Sequence, residues 1–487
     1  MSEYTHVKSF AIIVRLQNGE FTKGKYRMKI KGLFKDKSFY KMVIMIALPI
    51  MIQNAITNFV NLLDNVMVGR LGTEQMSGVS IVNQIGNVAN LCVFGAVSGA
   101  GIFTAQFFGK GDVEGQRQTF RFKIIISVII AILFIIVAIT FNEKLIGFFL
   151  YDGSVEGDLQ ATLNYASKYH KIIAYNMVAF AITQAYSSNL RESGETIVPM
   201  LSGFIAITVN LIGNTLLIFG KLGCPKLGVE GAAIASIISR VVECAFLAVY
   251  TYVKRERFAF IQGAYKHLFK IDKKLLQGLF AKSLPLIFNE TLWSLGMTYI
   301  AHCYSMRGLD VVAGYSIAST VINVFNIAYM ALGNAVGIIV GNYLGAGEIE
   351  KAIETDRKLI AFSVTVGFVV GAIMLALSGI IPKIYNTSAE SKKIATTFIA
   401  ISGLAMPLQA YLHSTYFTMR SGGKILITFL FDCGCVWCIN VPTALMLVKL
   451  TTLPVGWIYF ICTFIEIIKA IVGTVLLRKK IWVNKIV

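Results

Sequence analysis

Residues 124–141 read IIISVIIAILFIIVAITF, eighteen positions without a charge or an amide. At 1.5 Å of rise per residue, about 20 apolar residues cross the ~30 Å hydrocarbon layer of a bilayer. Lipid offers no hydrogen bonds to a backbone, so only helices or closed barrels span it, and a run this long and unbroken is a helix. Working outward, eleven more runs of the same kind appear, giving twelve: 42–66, 80–104, 124–141, 165–189, 197–219, 229–253, 283–304, 311–340, 359–381, 394–419, 425–448 and 454–477.

Composition agrees. The chain of 487 residues is 56% hydrophobic and 15% charged, with 8 prolines and a mean hydropathy of +0.68. A water-soluble chain carries about 25% charged residues, and this one would leave more apolar surface than water tolerates. The expectation is an all-α integral membrane protein with lipid as its main solvent. The net charge of +19 would suggest nucleic acid in a soluble protein. Here 32 of the 45 Lys and Arg fall in the termini and the even-numbered loops, 9 in the opposite loops and 4 within spans. Basic residues stay cytoplasmic, so both termini are expected in the cytoplasm of a cell with this protein in its plasma membrane, and no nucleic-acid partner is expected.

The chain repeats itself. Slid by 236 positions, Pro49 falls on Pro285, Gly72 on Gly308, Gly78 on Gly314, Asn87 on Asn323, Gly109 on Gly345, Gly111 on Gly347 and Arg121 on Arg357, among 15 identities over residues 49–121. At an offset of 229, Arg191-x-x-Gly194 falls on Arg420-x-x-Gly423. Six spans per copy mean that both copies enter the membrane in the same sense, related by an axis along its normal. The predicted architecture is therefore two pseudo-symmetric six-helix lobes, 41–253 and 283–477, around a central cavity. They are flanked by a basic segment 1–40, a basic linker 254–282 and a tail 478–487. Met28 begins a second plausible start, so residues 1–27 read as an upstream extension, and no cleavable signal peptide is expected.

Polar side chains within spans are costly and are functional candidates by default. Asn54, Asn58, Asn61 and Asp64 share one face of the first helix, and Asn83, Asn87 and Asn90 one face of the second. Asp64 has no cation on its own helix. At a similar depth lie Asn210, Asn214 and Ser236, so four oxygen-bearing side chains could hold Na⁺ or tune a proton site on Asp64. Asp64, Asn210 and Asn214 are the metal-ligand candidates if the ion is Na⁺. In the second half, Glu290 lies near Trp293, Ser294 and Thr298 and reads as a lone carboxylate able to take up a proton or to face an organic cation. Arg240 with Glu243, and Glu466 with Lys469, read as self-neutralising i,i+3 pairs. Asp432 reads as an ordinary carboxylate in the first turns of the eleventh helix.

Catalytic patterns are absent. There is no G-x-x-x-x-G-K-[ST], and the five histidines show no ligand spacing, so the protein is not expected to be an enzyme or to carry a cofactor beyond a coupling H⁺ or Na⁺. The eight cysteines sit mainly in apolar runs, and Cys435-x-x-Cys438 lacks a second pair for a zinc site.

Taken in order, these residues resemble the multidrug and toxic compound extrusion (MATE) family over roughly 40–480. The resemblance rests on Pro49 with Asp64 and Gly69-Arg70-Leu71-Gly72, Arg191-Glu192-Ser193-Gly194-Glu195-Thr196 with Pro199-Met200, and Asn210 before Gly231-Ala232-Ala233-Ile234-Ala235-Ser236. In the second half it rests on Pro285 with Glu290, Gly341-Asn342-Tyr343-Leu344-Gly345-Ala346-Gly347, and Met419-Arg420-Ser421-Gly422-Gly423 with Asp432, Trp437 and Pro442. It implies a monomeric secondary antiporter that exports small organic, cationic or amphipathic, compounds in exchange for H⁺ or Na⁺ by alternating access. Asp64, Asn210, Asn214, Ser236 and Glu290 would couple the ion. Asn54, Asn58, Asn61, Asn87, Trp293 and Ser294 would line the substrate cavity. Asn214 stands where many members have Asp and Ser236 where many have Thr, and helix ten lacks the carboxylate of some members, which lowers the charge available to Na⁺. A flippase for a lipid-linked saccharide, of the same superfamily, and an uncoupled channel or receptor are the rival readings.

Overall fold

The computed structural model describes residues 37–148, 150 and 158–487. Of the predicted basic segment only Lys37–Tyr40 is described, and the proposed extension 1–27 lies outside the described residues. Twelve helical spans follow one another. The first lobe holds α1 (Lys37–Gly69), α2 (Thr73–Lys110), α3 (Val113–Thr140), α4 (Leu159–Ile173 continued by Asn176–Glu192), α5 (Ile197–Leu217) and α6 (Val229–Val253). The second holds α7 (Lys273–Ser305), α8 (Leu309–Gly345), α9 (Ile349–Ser378) and α10 (Ala389–Ser421), with α11 (Ile425–Leu450) and α12 (Val455–Arg478). Ten of these described helices are long and apolar enough to cross a membrane. The other two are α4, which is broken at Ala174–Tyr175, and α7, which carries Lys273, Lys274, Lys282 and Glu290.

The repeat read from sequence is a repeat of backbone. Gly111 and Gly347 end α2 and α8 in the same left-handed conformation, each with φ +78°, and Gly194 and Gly423 match after α4 and α10 with φ +78° and +70°. Side chains with a Cβ rarely adopt this region, so each copy keeps glycine there.

The lobes meet at the end of the bundle that carries the termini. Here α2 and α8 cross with backbone on backbone: a Cβ on Gly109 would lie 1.9 Å from the Asn342 carbonyl oxygen, and one on Gly345 would lie 1.9 Å from that of Gln106. Gln106 and Asn342 are themselves related by 236 positions, so the crossing is reciprocal, as at an isologous dimer interface. The flanking helices repeat the device. Phe39, Val43, Ala47 and Ile50 of α1 pack on Ala331, Ala335, Ile339 and neighbours of the second lobe. Ser283 of α7 donates to Ala96 O of α2 at 2.9 Å. Towards the opposite end, repeat-related residues stand uncovered in pairs: Phe59 and Leu295 are 51% and 50% exposed, and Val88 and Val324 are 43% and 57%. The inter-lobe contacts named here lie on the termini side, and beyond the α2–α8 crossing a cleft opens to solvent between Ser98 and Gly101 of α2 and Asn334 and Gly337 of α8.

The two described segments outside the lobes, the linker and the tail, are ordered by specific bonds. Arg121, 3% exposed, donates to the carbonyls of Gly263, Ala264 and Lys270 at 3.0, 3.0 and 2.9 Å, pinning the linker. Asp272 caps α7, which begins at Lys273, so the last ten residues of the predicted linker are helical. The tail folds back across both lobes. Trp482 is 2% exposed. Gln106 Nε2 donates to Asn484 O at 3.2 Å and to Ser421 O at 3.0 Å, while Ile486 N donates to Gln106 Oε1 at 2.9 Å.

Candidate functional site

In the first lobe the fold joins four predicted residues from three helices. Asp64 lies one turn before the end of α1, Asn210 and Asn214 one turn apart on α5, and Ser236 on α6. Asn214 Nδ2 donates to Asp64 Oδ1 at 2.5 Å and to Asn210 Oδ1 at 3.1 Å, and Asn210 Nδ2 donates to Ser236 Oγ at 3.3 Å. The i,i+4 spacing of the asparagines stacks them on one face, so one amide passes the chain of hydrogen bonds to the next. Both asparagines are buried, and Asn214 Oδ1 has no partner. A buried acceptor left open is costly, which makes it a place for a proton donor or cation to bind. Among the described residues no three His, Cys, Asp or Glu gather as a metal cluster.

The second lobe departs from the sequence reading. Glu290 is not a lone carboxylate: Arg420 Nη1 lies 3.7 Å from it, and Tyr416 Oη donates to its Oε1 at 2.9 Å. Lys469 does not pair with Glu466 on its own helix but with Asp432 of α11 at 2.7 Å. Glu466 instead accepts from Gln409 Nε2 at 2.6 Å and Asn440 Nδ2 at 3.1 Å. Asn289, fully buried, donates to Tyr416 Oη at 3.2 Å and Asp432 Oδ2 at 3.3 Å, and its Oδ1 has no partner. The reason is the winding of α11, a π-helix over Leu430–Gly434 and Val436–Asn440. That i→i+5 winding, common at functional sites, turns Asp432 and Asn440 towards α12. The Arg240–Glu243 pair forms as expected, at 2.7 Å.

The predicted cavity-lining residues divide. Asn54, Trp293 and Ser294 are half-buried and Asn58 and Asn87 exposed, on the cleft-side halves of α1, α2 and α7. Asn61 lies on α1, but its side chain is outside the described set. None of them lines the small cavity, open to solvent, at the floor of the cleft. That cavity lies on the pseudo-twofold axis, walled by repeat-related pairs: Ser98 with Asn334, Gly101 with Gly337, Ile102 with Ile338 and Arg191 with Arg420. In the sequence both arginines stand out only as markers of the repeat. The matching Arg-x-x-Gly segments were the signal that could have placed them on the axis.

Beside the cavity, Lys123 is fully buried and pairs with Glu192. Ser188 Oγ donates to Glu192 Oε1 at 2.6 Å. Gly101 lets this carboxylate approach α2, since a Cβ there would meet Glu192 Oε1 at 2.0 Å.

Comparison with known proteins follows the same two halves. The MatE family model matches residues 49–216 and 285–446. The chain is 27% identical over 413 residues to a "Probable multidrug resistance protein NorM" of Thermotoga maritima, covering 84% of this chain and 86% of that one. It is 24% identical to a "Probable multidrug resistance protein YoeA" of Bacillus subtilis, covering 86% and 89%. Its fold matches a crystal structure of MATE in complex with MaD3S with a TM-score of 0.81 at 18% identity, over 91% of this chain and 96% of that one. With both halves matched by the family model, the chain belongs to the MATE family of multi-pass membrane transporters.

Proposed function

We propose that the protein exports small organic compounds, cationic or amphipathic, across the plasma membrane in exchange for H⁺ or Na⁺, its two lobes alternating access to the central cleft. The termini side would then be cytoplasmic, in line with the excess of Lys and Arg that the sequence places in the termini and even-numbered loops. The relatives' multidrug resistance names support the substrate class. The observation that carries the coupling is the Asp64–Asn214–Asn210–Ser236 chain, a membrane carboxylate with an unpartnered amide oxygen beside it. Asp64 would take up the driving ion. Glu290, with Arg420 and Tyr416 around it, would be a second ion or substrate-charge site.

Efflux of a cationic dye from vesicles under separately imposed Na⁺ and pH gradients tests this. One gradient should drive efflux in the wild type, and Asp64→Asn should remove most of it. Unchanged gradient-driven efflux in Asp64→Asn refutes the role of Asp64, and flux that ignores both gradients favours an uncoupled channel. A flippase for a lipid-linked saccharide is the second reading, favoured by the two arginines on the cavity wall.

A further inference from the structure

The segments that follow the sixth helix of each half take opposite routes. After α6 the linker turns back onto its own lobe: Arg121 of α3 holds the carbonyls of Gly263, Ala264 and Lys270, and Arg257 pairs with Glu195 just beyond α4. Arg357, the repeat counterpart of Arg121, is exposed, and the tail that follows α12 makes its hydrogen bonds elsewhere. Trp482 is buried against Gly422 of the second lobe, where a Cβ would lie 1.7 Å from the Trp482 carbonyl oxygen. Asn484 Nδ2 donates to Gly422 O at 3.3 Å. Further on, Ile486 joins Ile102 of α2 and Leu286 of α7, and Val487 joins the cluster of Phe103, Phe107 and Leu279. The tail thus starts on one lobe and finishes against the other.

One side chain of the first lobe receives it. Gln106 of α2 is fully buried and bonds at both ends of its amide: Oε1 accepts from Ile486 N at 2.9 Å, and Nε2 donates to Asn484 O at 3.2 Å and to Ser421 O at 3.0 Å. It takes the N–H of one tail residue and gives to the C=O two residues back, as a neighbouring strand would. Its repeat counterpart on α8, Asn342, also reaches across the crossing, donating to Ala105 O at 2.7 Å and Glu192 O at 3.3 Å with its amide oriented to satisfy both ends. Ser421 and Glu192 are themselves related by the offset of 229. The crossing therefore carries two matching inter-lobe amide bonds, and at Gln106 the tail is added to one of them.

If the termini side is to open, Gln106 must part from Ser421, because they belong to different lobes. A tail bonded to both lobes must then let go of one. Trp482 is the firmer end, since a buried indole removes more apolar area from water than the half-buried Ile486 and Val487. The two hydrogen bonds to Gln106 are neutral and of ordinary strength. Release at Gln106, with Trp482 kept as the pivot, is the route of least cost.

We propose that residues 483–487 form a latch on the termini-side gate, hinged at Trp482 and caught by Gln106, which holds the lobes together on that side and releases before the cavity opens there. This rests on the alternating-access reading and adds to it the element that sets how readily one face opens.

Hydrogen exchange of the full-length protein in lipid nanodiscs, read peptide by peptide, tests the latch. Two variants spare the Trp482 pivot: Ile486→Pro, which removes the N–H that Gln106 Oε1 accepts, and removal of residues 484–487. Each should quicken exchange about fivefold or more at the crossing, residues 102–110 and 338–345, as the loss of one ordinary hydrogen bond or more gives. The peripheral α5 and α9 should exchange as in the wild type. Unchanged exchange at the crossing in both variants overturns the proposal. Quickening that spreads evenly through α5 and α9 overturns it as well, because the tail then stabilises the whole fold and gates nothing. Dye efflux by the wild type in vesicles reports on the exporter reading separately: gradient-driven efflux can persist while the latch fails, and flux that ignores both gradients sinks that reading whatever the exchange pattern.

Discussion

Lys123 and Glu192 offer the sharpest test of how this membrane protein tolerates charge. The ammonium is fully buried and the carboxylate 13% exposed, with Ser188 Oγ at 3.1 Å and Asn189 Oδ1 at 3.5 Å as the other polar neighbours of the ammonium. Glu192→Gln leaves a buried ammonium with neutral partners only, and Lys123→Met leaves a carboxylate with Ser188 alone. Removing one member of a buried pair costs about 3–5 kcal/mol, whereas replacing both by uncharged groups of similar volume is about neutral. Each single variant should therefore lose that amount, and Lys123→Met with Glu192→Gln should recover nearly all of it. The double variant would then be about 6–10 kcal/mol more stable than the sum of the singles allows. Unfolding of purified protein in mixed micelles titrated with dodecyl sulfate, followed by tryptophan fluorescence, measures all four corners of the cycle. A double variant as unstable as the two losses added together would refute the reasoning, because the residues would then act through packing and not through their charges.

Two further outcomes follow from contacts between the lobes. Gly109→Ala puts a methyl 1.9 Å from the Asn342 carbonyl oxygen, forcing the α2–α8 crossing apart, and should cost about 1–3 kcal/mol. Gly86→Ala on the same helix meets nothing within 4 Å and should gain up to about 1 kcal/mol from helix propensity. The same micelle unfolding should therefore rank the two alanines on opposite sides of the wild type. Trp482→Ala empties a buried site at the tail, 2% exposed, and should cost about 3–5 kcal/mol. A solvated tail would show no loss.

Much of this was legible in the sequence because lipid imposes simple rules. Twelve apolar runs gave twelve helices, and Gly111 and Gly347, aligned by the 236-residue offset, share a left-handed backbone. The Asp64 cluster was legible for a related reason: depth along α1, α5 and α6 can be counted, and polar residues at one depth tend to find each other. What failed was pairing across helices. Glu466 and Lys469 are three apart on one helix, yet each bonds elsewhere, since the π-wound α11 turns Asp432 and Asn440 onto α12 and no i,i+3 rule contains that rotation. Nothing along the sequence marks Arg121 and Arg420 as buried, since both lie outside the apolar runs, where charge suggests water. Both are 3% exposed, held by carbonyls in one case and by aromatic rings and Glu290 in the other. The central cavity was expected, but its floor lies on the symmetry axis, where residues nearly 230 positions apart meet, and spacing along one helix says nothing of that.

The packing of α1 sets an order of events during synthesis. Val43, Ala47 and Ile50 share a buried cluster with Ala331–Leu344 and Leu412, so this face of α1 stays uncovered until nearly three hundred further residues have been made, while the outer end of the helix bonds α5 through Asp64 and Asn214. The last contacts arrive later still, when Trp482 and Ile486 reach Gly422 and Gln106. A first lobe released early would thus carry an inner face of α1 and α2 that only lipid covers, with backbone bared at Gly109 for any chain that arrives before α8. For a cell making this protein, the vulnerable interval is the time between the halves, and an insertion machinery that shields that face would raise the yield of folded protein without changing its final stability.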